Sequence, residues 1–163
     1  MNFKTIFKII FTSILCSLLF IFSPVIARHQ GTKSLAASLA IAANIVSHAP
    51  ESAQAYIIEP ADGETLPQTF TVKFGLSGME LAPAGTDQDN TGHHHLLIDQ
   101  QELPDLSTSL PATEQIRHFG KAQTETELTL EPGKHTLQLI LGNYLHVPHD
   151  NPVISQPITI EVK

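Results

Sequence analysis

Between Thr69 and Leu76 the apolar residues fall on every second position: Phe70, Val72, Phe74 and Leu76 share one side, with Thr69, Thr71, Lys73 and Gly75 on the other. A two-residue period belongs to a strand with one face in a core and one in water. Further strands are predicted at Tyr56–Glu59, His93–Asp99, Thr124–Leu130, His135–Leu141 and Val153–Val162. Between two of these lies Glu131-Pro132-Gly133-Lys134. Proline sets φ near −65° and the following glycine accepts positive φ, so a type II turn and a hairpin are expected there. No internal repeat and no long amphipathic segment follows Tyr56. Six or seven short strands with turn signals between them predict an all-β domain, an immunoglobulin-like antiparallel β-sandwich.

The first residues have another character. Lys4 and Lys8 precede an apolar run from Ile9 to Ile26 that closes on Ala27, the order of parts in a secretory signal peptide. A signal peptide is therefore expected at 1–27, with an uncleaved membrane anchor as the alternative. Cys16, the only cysteine, lacks the preceding small residue that lipoprotein processing needs. Cleavage would leave a chain without cysteine in a periplasmic or secreted setting, so no disulfide could support it and one packed core must. Losing Lys4 and Lys8 takes the formal charge from −7 to −9. That balance disfavours nucleic acid and anionic membrane surfaces as partners and favours cations. Residues 28–55, rich in Ala, Ser and Gln with an apolar patch at Leu35–Val46, read as a partly helical linker. The sandwich is expected over 56–163.

Three connections, 77–92, 100–117 and 143–152, are longer than a sandwich requires, and long loops on a rigid scaffold commonly carry function. If neighbouring strands alternate in direction, the first and last of these loops lie at one pole. His93, His94 and His95 open a strand at that pole, while His146 and His149 sit in the last loop. The strand beginning near Thr124 must also start there, which brings His118 to the same pole. His135 falls at the opposite pole and is read as structural.

Residues two apart on a strand point the same way, so His93 and His95 can hold one ion together. His94 faces the other side with Leu96 and Ile98, and is read as a core-edge histidine bonded to a backbone carbonyl. Asp150 follows His149 as a carboxylate able to fix a ring tautomer. The expected metal ligands are His93, His95, His118, His146 and His149. With no thiolate in the mature chain and Met79 its only thioether, the donor set suits zinc, copper(II) or nickel. The competing structural reading has these histidines bracing loop backbones. Asp62-Gly63 is expected in a turn, and Asp87 and Asp89 in a solvated acidic loop.

Pro60-Ala61-Asp62-Gly63, Thr71-Val72-Lys73-Phe74-Gly75, Gly92-His93-His94-His95-Leu96-Leu97-Ile98-Asp99, His118-Phe119-Gly120-Lys121, Pro132 to Leu139 and His146-Val147-Pro148-His149-Asp150 together resemble the domain of unknown function family 4399. The resemblance covers Tyr56 to Val162. It implies a secreted or periplasmic bacterial domain and no activity. Ala122 departs from the family pattern, which has glycine there. A fainter likeness, by analogy only, is to CopC-type copper carriers, which share a secretion signal, a small sandwich and a Pro-Ala-Asp-Gly turn but bind copper at the mature N-terminus.

These observations lead first to an exported, non-enzymatic binding module that holds zinc or copper(II) in a histidine cluster. A structural or partner-binding domain without metal is the second reading, with any protein partner unspecified. A copper/zinc redox enzyme resembling the superoxide dismutases is the third. Those enzymes typically carry a disulfide, and the absence of cysteine from the mature chain counts against it.

Overall fold

The computed structural model describes residues 45–163. The expected signal peptide and most of the expected linker lie outside the described residues. Among the described residues no helix is long and apolar enough to cross a membrane.

The described residues form nine strands: β1 Gln54–Glu59, β2 Thr65–Leu66, β3 Thr69–Ser77, β4 Glu80–Leu81, β5 Thr91–Ile98, β6 Ile116–His118, β7 Glu125–Thr129, β8 Gly133–Gly142 and β9 Ile158–Val162. One sheet has the order β1-β3-β7. The other runs β2-β9-β8-β5-β4, with β6 also paired to β5. Pairing is antiparallel except for the two-residue contacts of β2 with β9 and β4 with β5. The result is an all-β, immunoglobulin-like sandwich.

The alternation at Thr69–Leu76 is realised directly. Phe70, Val72 and Phe74 of β3 are buried and meet Leu96 and Ile98 of β5, Leu137, Leu139 and Leu141 of β8, and Ile160 and Val162 of β9. Each such side chain contributes about 1.5–3 kcal/mol through burial. A second, smaller apolar cluster lies on the outer face of the larger sheet, where Leu106 and Leu110 of the 99–115 connection cover Leu97 and Ile140. Strand β5 is consequently buried on both faces along its whole length. That explains why its sequence shows a continuous run where β3 shows alternation.

The Pro132-Gly133 segment departs from expectation. Strand β7 pairs with β3, whereas β8 pairs with β5 and β9, so the segment carries the chain from one sheet to the other and closes no hairpin. The last expected strand also shortens to β9, because Val153 to Pro157 runs beside β8 with only an isolated bridge between Ile154 and Ile140. The Asp62-Gly63 turn forms as expected, with Gly63 at φ 79°. Its carboxylates accept backbone N–H groups: Asp62 from Thr159 at 2.8 Å and Glu64 from Ala61 at 2.8 Å. Ala122 stands at φ 58°, a left-handed conformation that glycine adopts without strain.

The packed region reaches upstream of β1. Ala49 is fully buried in the main core, and residues 45–49 bond across to the 143–151 loop.

Candidate metal centre

Strand β5 places His93 and His95 on its outer face, one on each side of the inward-facing His94. Its two neighbours complete the wall. On one side β6 pairs antiparallel with β5 and sets His118 opposite His95. On the other, β8 sets Gly142 opposite His93. Gly142 matters through what it lacks, since a Cβ there would stand 2.8 Å from Cε1 of His95 and 3.2 Å from the His146 backbone. Gly120 acts similarly for His118, whose ring occupies the place of any side chain at 120.

The loop after β8 supplies the fourth ring. Asn143 shapes it: the Asn143 side-chain carbonyl accepts N–H bonds from Leu145 and Val147 at 2.9 and 3.0 Å, and its amide donates to the Ile45 carbonyl at 2.7 Å. The backbone N–H of His146 donates to the Asn143 carbonyl at 2.8 Å, and the His146 carbonyl accepts from Leu110 N–H at 2.9 Å. Held this way, His146 takes φ 67° and turns its ring over the strand histidines.

Ligand nitrogens of His93, His95 and His118 lie within 4.8 Å of one another. The His146 ring centroid is 4.6 Å from that of His118 and 5.0 Å from that of His93. His93 and His95 are 0% and 1% exposed, His146 is half-buried and His118 exposed. The centre is thus dry beneath and open to solvent on the β6 side.

His149 is buried beside this group rather than stacked in it. Its Nδ1 is 2.6 Å from the Ser47 hydroxyl, and its Nε2 is buried without a hydrogen-bond partner. Asp150 does not fix its tautomer, as the sequence suggested. That carboxylate instead accepts from His48 Nδ1 at 3.0 Å and from the Ala49 N–H at 3.3 Å. His94 is also corrected in part: it faces the core as expected, edge-on to Phe74 at 4.9 Å, but neither ring nitrogen has a partner. His135 lies at the far end of the sandwich with both nitrogens bonded, to Asp99 at 2.7 Å and to the Glu131 carbonyl at 2.8 Å.

Burial lowers the proton affinity of His93, His94, His95, His118 and His149. Burial, reinforced by the neighbouring imidazoles, pushes His93 down to about 4 and His95 down to about 3. Burial alone pushes His94 down to about 4. Burial and the adjacent His146 lower His118, and burial lowers His149 against the opposing pull of Ser47 and Asp150. Neutral imidazole is the form with a lone pair for a metal. The chain therefore gathers electron-pair donors that do not have to shed protons near neutrality.

The family model described as Domain of unknown function (DUF4399) matches residues 72–163, more than half of the chain. The chain belongs to the DUF4399 family. All five expected ligands fall within the DUF4399 span, whereas Ser47, His48 and Ala49 precede it. No curated protein gives a match. Among solved structures, an endo-β-1,4-mannanase from Thermotoga petrophila aligns at 15% identity and TM-score 0.40, covering 69% of this chain and 20% of that one. The DUF4399 chain thus spans about a fifth of that enzyme. Fibronectin(III)-like modules of CbhA from Clostridium thermocellum align at 12% identity and TM-score 0.36, covering 67% and 93%.

Sequence reasoning missed Ser47, Asn143, Gly142 and Gly120. Asn143 alone carried a local signal, as a residue type that bonds backbone N–H groups two and more positions ahead.

Proposed function

We propose that this protein is an exported, non-enzymatic β-sandwich module, periplasmic or secreted, that holds one divalent transition metal through His93, His95 and His118, with His146 and His149 as further donors. Zinc or copper(II) suits this all-imidazole set. Met79 packs against the hydrophobic core and no cysteine lies among the described residues, so the donors do not favour copper(I).

The observation that carries the reading is the set of buried imidazole nitrogens without partners, both on His93, both on His95 and Nε2 of His149. Leaving one buried polar group unsatisfied costs about 1–3 kcal/mol. Loop bracing does not account for them, since a bracing histidine looks like His135, with each nitrogen bonded. A metal takes one lone pair from each ring, and two nitrogens each about 2.0–2.1 Å from a tetrahedral zinc stand about 3.3 Å apart, so nitrogens now within 4.8 Å of one another need only small side-chain movements.

The test is elemental analysis and calorimetric titration of untagged protein with zinc and copper(II), together with thermal unfolding. Wild type should take up one equivalent. Binding to the folded state alone should add about 2.7 kcal/mol of stability at a hundredfold excess over Kd. His95→Ala and His118→Ala should remove most of that gain, and His135→Ala should retain it. Wild type that takes up neither metal would return the cluster to a structural role. Redox turnover by the copper-loaded protein would favour the enzyme reading instead.

A further inference from the structure

We propose that Ser47, upstream of the family-matched residues, is a positioning residue of the histidine centre, fixing through its hydroxyl the ring orientation and tautomer of His149. The inference rests on the reading of that centre as a metal site. His149 is 2% exposed, and its neighbour Pro148 bridges to Gly142, which stands opposite His93, so the loop carries His149 beside the strand histidines. The 2.6 Å contact between Ser47 Oγ and His149 Nδ1 holds one nitrogen and leaves Nε2 buried without a partner.

Two tautomers are compatible with that contact. If the serine hydroxyl donates to Nδ1, Nε2 bears hydrogen and no lone pair. If Nδ1–H donates to the serine oxygen, Nε2 presents a lone pair inward, and only this form can bind a metal. A ligating imidazole commonly gives its other N–H to an oxygen acceptor, which fixes the ring and raises its basicity.

Ser47 is itself held in place. Its carbonyl accepts the Asp150 N–H at 3.1 Å, and nearby residues bond to the same loop: Ile45 through the Asn143 amide and His48 through the Asp150 carboxylate. His149 and Ser47 are thereby fastened to each other over 102 positions of sequence. Metal affinity in this chain then depends on a segment that precedes the family match.

The experiment combines imidazole 15N spectra of the metal-free protein with zinc titrations. His149 in wild type should carry its proton on Nδ1. Ser47→Ala should shift His149 toward the Nε2–H form and weaken zinc binding about tenfold. Ser47→Thr, which keeps the hydroxyl, should restore both. In a His149→Ala background, Ser47→Ala should have no further effect on affinity, because its influence passes through that ring. An Nε2–H tautomer in wild type, or unchanged tautomer and affinity in Ser47→Ala, overturns the proposal, and should Ser47→Ala fail to fold, the wild-type tautomer and the Ser47→Thr titration decide. Absence of zinc uptake by wild type with an Nδ1–H His149 would instead overturn the metal reading and leave Ser47 as a structural partner of that ring.

Discussion

His94 points into the sandwich between two imidazoles that point out of it, and its environment is apolar. It is fully buried, packs against Phe74 and has no hydrogen-bond partner on either nitrogen. Replacing such a group with an apolar one of similar size removes an unsatisfied polar burden of about 1–3 kcal/mol. His94→Leu is therefore expected to raise stability in denaturant by an amount in that range, with zinc affinity unchanged because the centre lies on the other face. A variant that loses zinc would show that the two faces of β5 are coupled. The separation of His93 and His95 from His94 was legible in the sequence, because strand alternation requires it. The room around their rings was not. Gly142 and Gly120 make that room, and their importance arises from register between strands distant in sequence, which local pattern does not encode.

Two elements bring donors to β5 and a third segment braces one of them, and their legibility differed. The 143–152 loop stood out through its histidines and Pro148. Strand β6 has three residues, too few for a periodicity, so His118 was expected at this end only within the connection leading into the strand now seen as β7. It arrives there as a cross-strand neighbour of His95. Residues 45–53 gave no sign of their role, since Ala49 and Ser47 have small side chains with no pattern and act through contacts a hundred positions away. Their packing leads to an expectation for truncation. A chain beginning at Ser52 loses the burial of Ala49 and the bonds from Ile45, Ser47 and Ala49 to the 143–150 loop. It should be less stable than one retaining Ile45 by about 2 kcal/mol, measured by urea unfolding. Equal midpoints would place the domain boundary nearer Tyr56.

For the molecule as a whole, the buried histidines set the response to acid. An unfolded chain takes up protons on imidazole near pH 6.5, whereas folded His93 and His94 resist until about 4 and His95 until about 3. Between these limits the unfolded state holds more protons, so stability must fall as pH falls. Stability associated with these lowered groups is fully present above pH 6.5 and is lost on descent toward pH 4 to 3. His135 acts in the opposite sense. Burial lowers it, but its bonds to Asp99 and Glu131 outweigh that and leave it raised, so its contribution is present below pH 6.5 and fades as pH rises through its folded value. Carboxylates held below their ordinary value of 3.8, such as Asp150 through its bond to His48, are lost only below that value and do not enter the window. Three strongly lowered groups, joined by His118 and His149, prevail over one raised group. Denaturant midpoints measured in chelator should therefore drop steadily from pH 6.5 to 4.5, less steeply in His94→Leu and more steeply in His135→Asn. Zinc competes with protons for imidazole lone pairs. Folded His93 and His95 take up protons only near pH 4 and 3, so the stability zinc adds should hold through this window and shrink only below it, and the metal-loaded curve should run above the metal-free one with a similar slope. A midpoint that stays level between pH 6.5 and 5 would mean that these histidines can take up protons without unfolding the sandwich, and that the cluster is wetter than its burial indicates.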